Sequence, residues 1–226
     1  KLGCSCFATA KVSPERTVTV MAITTYAELQ SNVTDFLNRD DLASVTPTFI
    51  SLAESNLSRD IRHWRQEKRS TADLDTQYSA IPADFVEAIR FYITSGESRP
   101  LELISQFQLL DRKYNRSNTS GEPAYYAITA GEIEIFPAPA GTYTAELYYI
   151  SELPALSDSN TSNWLLEHYP DAYLYGSLIH SAPYLKDDAR LQVWAALYQS
   201  AINAINAESE KAKFGGSGRR MKIRAY

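Results

Sequence analysis

Residues 163–212 read NWLLEHYPDAYLYGSLIHSAPYLKDDARLQVWAALYQSAINAINAESEKA, and the way this stretch folds decides the rest of the chain. Asn163 can cap a helix start with Glu167 in its first turn. Pro170 and Pro183 then divide the remainder of the stretch into a short helix, Asp171–Ala182, and a long one, Asp187–Ala212. The short helix is apolar or aromatic on nearly all sides (Ala172, Tyr173, Leu174, Tyr175, Leu178, Ile179), which calls for burial in a large core or against neighbouring subunits. The long helix repeats Leu191, Trp194, Tyr198, Ala201 and Ile205 at spacings of three and four, opposite Gln192, Gln199, Asn203, Asn206 and Glu208. The stretch reads as an assembly element. Trp164, Tyr173, Tyr175, Leu178, Ile179, Trp194 and Tyr198 are its candidate core or inter-subunit residues.

Beyond it, Gly215-Gly216-Ser217-Gly218 is a cap and flexible linker, followed by Arg219, Arg220, Met221, Lys222, Ile223, Arg224, Ala225 and Tyr226. This extended tail, 215–226, alternates cations with apolar anchors, which suits strand addition to another sheet or a seat in a groove. Residues 211–226 carry +6, so the rest of the chain carries −11 of the net −5. A body that acidic is a poor general binder of nucleic acid, whereas the tail can meet an anionic surface.

Upstream, a helix is predicted from Thr24, capped by Thr24 or Thr25, with Leu29, Val33, Phe36 and Leu37 on one face. A second is predicted over Thr46–His63 with Pro47 at its start and Phe49, Ile50, Ala53, Leu57 and Ile61 inward. From Arg65 the texture becomes strand-like. Arg69–Leu74 is a weak strand, Phe85–Ile93 ends as one, and Ala124–Thr129, Glu132–Phe136 and Thr142–Ile150 are clear ones. Tyr143, Ala145, Leu147 and Tyr149 alternate with Thr144, Glu146 and Tyr148, as on a half-buried antiparallel strand. Between them Ile104–Tyr114 is expected to be a short amphipathic helix with Phe107, Leu110 and Tyr114 inward. The expected fold is α+β. It is a mainly α-helical bundle (21–64 and 163–214) with an antiparallel β insertion (65–162) and the extended C-terminal tail. Residues 1–20, ahead of Met21, read as a non-native or mis-started leader without the apolar core of a signal peptide.

Catalytic patterns are sparse. The two cysteines, Cys4 and Cys6, are too close for a good disulfide and make at most half a metal site. His63, His168 and His180 lack metal-ligand spacing, and glycine patterns that cradle phosphate are absent. Glu132 and Glu134 share one strand face, as solvated pairs also do. No run of 18 apolar residues spans a membrane. The expectation is a protein that is not an enzyme, with no catalytic, metal or cofactor residues and no cofactor. Fifteen tyrosines leave two readings open, subunit interfaces formed in water or covered sheet faces.

Several short sequences in fixed order resemble head–tail adaptor (connector) proteins of tailed bacteriophages. They are Ile81-Pro82-Ala83-Asp84-Phe85, Gly121-Glu122-Pro123-Ala124-Tyr125-Tyr126, Ile135-Phe136-Pro137-Ala138-Pro139, Asn163-Trp164-Leu165-Leu166, Pro170-Asp171-Ala172-Tyr173-Leu174-Tyr175-Gly176 and Ala182-Pro183-Tyr184-Leu185-Lys186-Asp187-Asp188. The resemblance covers about 21–224 and leaves out residues 1–20. It implies a virion structural protein, made in the host cytoplasm and placed in the neck below the portal vertex. There it would form a homo-oligomeric ring, usually a dodecamer, that binds the portal protein and extends the DNA channel. Tail or nozzle proteins would dock on it, and genomic double-stranded DNA would pass through without sequence-specific binding, with no membrane involved. In such adaptors a C-terminal segment reaches into the portal, which makes Arg219, Arg220, Met221, Lys222, Ile223, Arg224 and Tyr226 the expected portal contacts. The alternatives are another neck or tail component, such as a tail-completion or nozzle-like protein binding the adaptor ring, and a small phage hydrolase using Glu132, Glu134 or His168.

Overall fold

Thr25 opens the first helix with a capping box. Its hydroxyl accepts from the Glu28 N–H at 3.3 Å, and the Glu28 carboxylate accepts from the Thr25 N–H at 3.0 Å. The structure, a computed structural model, describes residues 23–96, 98–115, 119–185 and 188–214. Helix α1 (Tyr26–Leu37) ends where Asn38 turns left-handed at φ 52°, and α2 (Thr46–Asp60) begins a few residues later with Pro47 in its first turn.

After a 3-10 turn at Trp64–Gln66 the chain becomes strand: β1 (Glu67–Leu74), β2 (Tyr78–Ala80), β3 (Phe85–Ile93), β4 (Arg99–Pro100) and β5 (Glu102–Leu103). Helix α3 (Gln106–Asn115) precedes β6 (Ser120–Gly121), β7 (Tyr125–Thr129), β8 (Glu132–Phe136), β9 (Ala138–Pro139) and β10 (Tyr143–Ser151). Helices α4 (Trp164–His168), α5 (Pro170–Leu185) and α6 (Asp188–Phe214) complete the described chain, and α4 starts from the Asn163 cap. Among the described residues no helix is long and apolar enough to cross a membrane.

One antiparallel sheet runs β1-β10-β3-β4, and a second runs β2-β8-β7-β5 with its β5–β7 edge parallel. Their facing sides bury Phe91, Ala145, Leu147 and Tyr149 against Tyr126, Ile133 and Ile135. The opposite side of the second sheet is covered by α3, where Leu109 packs with Ile104, Ala127 and Phe136. The β region is therefore three layers: first sheet, second sheet, helix. A separate core joins α1, α2, α4, α5 and α6 around Leu29, Leu57, Leu165, Tyr173 and Leu178. The two regions are tied by backbone-to-side-chain bonds, Trp64 N–H to Ser209 at 3.0 Å and Ser151 hydroxyl to the Gln66 carbonyl at 2.9 Å, and by a Lys213–Glu67 ion pair.

Three expectations are corrected. The fold is α+β, but it is not mainly a helical bundle: ten described strands in three sheets enclose a core of their own. Half of those strands are only two or three residues long, too short to show alternation, and β1 is mostly exposed and polar. The strand pairing is also not wholly antiparallel, since β5–β7 and β6–β9 run parallel. Pro183 does not end a helix at Ala182, because α5 continues to Leu185. The proline removes one late hydrogen bond, and burial of Ser181 and Ala182 beside it holds the last turn in place.

Candidate interaction surfaces

Helix α5 fills its own chain before anything else. Tyr173 and Leu178 are fully buried, Trp194 and Tyr198 are buried, and Trp164, Tyr175 and Ile179 pack half-buried against the same core. Gly176 lets the helices come this close: a Cβ there would stand 3.2 Å from Ala53 Cβ and 3.3 Å from the Tyr198 ring. The Tyr198 hydroxyl donates to Asp60 at 3.0 Å, and burial together with that acceptor pushes the phenol up. Val193 and Leu197, one turn apart on α6, remain exposed, as does Tyr184 at the end of α5. The spacing of Leu191, Trp194 and Tyr198 points to the other face of α6, so sequence reasoning passes over Val193 and Leu197.

His63 and His168 both lie against the Tyr169 ring, at 6.0 and 6.3 Å, while His180 is on α5. His63 is stacked on Trp164 at 4.9 Å, and burial, then the Arg65 charge, hold it below its ordinary value. His180 meets the Asn56 amide at 2.8 Å, and His168 meets Arg65. Among the described residues no group of three or more His, Cys, Asp or Glu is arranged to hold a metal ion.

The densest electrostatics lie under α3. Glu134, on the outer face of the second sheet, is only 2% exposed. Its carboxylate accepts from Gln106 Nε2 at 2.8 Å, Gln77 Nε2 at 2.9 Å and Tyr78 hydroxyl at 3.2 Å, and forms an ion pair with Lys113. Thr129 donates to the Gln106 amide oxygen at 2.6 Å, so the helix start is fixed to the sheet as well. Burial pushes the Glu134 carboxyl up, but the hydrogen bonds from Lys113 and Gln106, with the Lys113 charge, outweigh it and hold the group below its usual range. Glu132, two residues before, is exposed at the start of β8 and has no part in this cluster.

That cluster reverses the expected orientation of α3. Gln106, Leu109 and Lys113 face the sheet, while Phe107 and Tyr114 are 82% and 87% exposed and Leu110 is partly so. The spacing identifies the helix, but a buried carboxylate opposite it selects the polar side. Sequence reasoning passes over Gln106 and Lys113 for this reason; their one signal is a Gln-Leu-Lys row at i, i+3, i+7.

On the far side of the β layers, the outer face of the first sheet carries a groove of about 400 Å³. Ile89, Tyr92 and Tyr148 supply its apolar surface, with the two tyrosine rings edge to face at 6.3 Å, and Glu67, Arg90 and Glu146 rim it. Arg69 pairs with Glu146 at 2.9 Å along that rim. The tail residues Arg219, Arg220, Met221, Lys222, Ile223, Arg224 and Tyr226 lie outside the described residues, as do residues 1–20, expected to be a leader.

A family model described as SU10 adaptor protein matches residues 24–221. Comparison with curated proteins gives no match.

Proposed function

The chain belongs to the SU10 adaptor protein family of phage head–tail adaptors, and from that premise we propose that it forms the adaptor ring between portal and tail. It is a bacteriophage structural protein, a component of the virion that assembles with other phage head and tail proteins. The finer reading is a ring of twelve copies in the neck that binds the portal, continues the DNA channel and presents a platform to tail or nozzle proteins. It does its work by assembly, without catalysis or a cofactor.

The family match carries this reading, because it spans the helical core and the sheets together and not one common substructure. Three physical features support it. A body of −11 outside residues 211–226 suits a conduit, since a cationic wall would hold the phosphates by counterion release and brake the passing DNA. Exposed aromatic and aliphatic side chains on α3 and α6 give surface for neighbours to cover. The basic, apolar-studded segment 219–226 has the composition of a plug for another protein's groove.

Removing residues 218–226 tests the portal contact. The truncated chain is expected to keep its circular dichroism and melting temperature while losing co-sedimentation with portal assemblies. Unchanged co-sedimentation would remove the tail from the portal interface. Binding only to preformed adaptor rings, with none to isolated portal, would place the chain among the other neck or tail components.

A further inference from the structure

Helix α3 is inside out. A surface helix ordinarily turns its apolar stripe to the core and its polar side to water. Here Gln106, Leu109 and Lys113, at i, i+3 and i+7, turn inward to Glu134 and the sheet. Phe107, Leu110 and Tyr114, with the same spacing, turn outward. Helices that seat in another protein's groove use this row of anchors. The inward clamp is made of a hydrogen bond and an ion pair to one buried carboxylate, so the helix cannot roll its aromatics under without taking Gln106 and the Lys113 charge away from Glu134.

The chain also carries a surface that fits such a ridge. The groove between Ile89, Tyr92 and Tyr148 offers aliphatic and aromatic surface among Thr94, Ser98 and charged side chains, a mixture found at protein contacts, and its 400 Å³ is in the range of sites that hold ring-sized groups. It opens on the first sheet's outer face, whereas α3 covers the second sheet's outer face, so two sheets separate ridge from groove. One molecule cannot bring them together. Two different patches on opposite sides form a heterologous contact, which repeats head to tail and closes into a ring when the rotation allows.

We propose that the Phe107–Leu110–Tyr114 ridge of one copy seats in the Ile89–Tyr92–Tyr148 groove of the next, the β layers thereby forming part of the subunit–subunit contact. This inference rests on the ring reading above and adds the surfaces that build it.

The test uses two thiols placed on these surfaces. In the full chain with Cys4→Ser and Cys6→Ser, which leaves no other cysteine, Leu110→Cys and Ile89→Cys are introduced singly and together, and portal is supplied. A short bis-maleimide is expected to give a ladder of dimer, trimer and higher species from the double variant and no ladder from either single one. Oligomers seen by native mass spectrometry without that ladder would overturn the contact while leaving the ring intact. So would dimers from Leu110→Cys alone, or portal shielding Leu110→Cys from labelling in monomeric chain. A chain that stays monomeric with portal present would sink the ring reading, and the contact with it. As a second readout, Phe107→Asp with Tyr114→Asp is expected to weaken self-association at least about tenfold. Both side chains are solvent-exposed, so the melting temperature should stay where it was; a double variant that assembles normally would overturn the ridge.

Discussion

Replacing Tyr173 with alanine is expected to cost about 3–5 kcal/mol of folding free energy, the range for removing a large ring from a closed core. The ring is fully buried where α5 meets the rest of the helical core. Its hydroxyl accepts from Asn163 Nδ2 at 2.7 Å and donates to Glu54 at 3.4 Å, while Glu54 also accepts from the Leu156 N–H at 2.7 Å. The residue thus links the α4 cap, the incoming connector and α2. Tyr173→Phe keeps the ring and loses only the hydroxyl, so its cost should be about 1–2 kcal/mol, cushioned because Asn163 still donates to the Pro154 carbonyl at 2.9 Å. Chemical denaturation of both variants checks the order. Equal costs would mean that the hydroxyl, and not the packing, is what the core depends on.

Lys113→Met should be the most damaging change in the β layers, at about 3–5 kcal/mol near neutral pH, because it leaves the Glu134 carboxylate buried without its cation. The effect has a definite pH sign. In the native chain Glu134 is held below its ordinary 4.5, so its contribution is complete above that value and is lost as pH falls through the lower folded value. In the variant, burial remains and the cation is gone, so the carboxyl moves up and protonation relieves it. The gap in melting temperature between variant and parent is therefore widest near pH 7, on the order of 10 °C for a chain of this size, and narrows as pH falls through the variant's raised value and on down through the parent's lowered one. A gap that does not change with pH would mean that Lys113 acts through its aliphatic stem and not its charge.

Local signals in the sequence were legible where a few neighbouring residues settle the structure. Thr25 with Glu28, Asn163 ahead of Trp164, and the alternation through Tyr143–Tyr149 each specify their element without help from distant parts of the chain. The errors came where distant residues decide. Strands β4, β5, β6 and β9 exist because partners elsewhere pair with two residues each, which leaves no periodicity to read. Pro183 sits in the last turn of α5, where the helix is anchored by the buried Ser181 and Ala182 just before it. The orientation of α3 depends on Glu134, 21 residues beyond Lys113, on a strand whose other residues are mostly apolar. Family membership was legible through the order of short motifs, whereas the expected portal contacts fall on residues 219–226, outside the described chain.

The adaptor assignment is tested most directly by imaging the intact neck of the virion by electron microscopy. The expected result is a closed ring of this chain directly beneath the portal, with the segment after Gly218 entering the portal and α3 of each copy against the first sheet of its neighbour. A chain found away from the portal, or present as isolated copies bound to another ring, would contradict it.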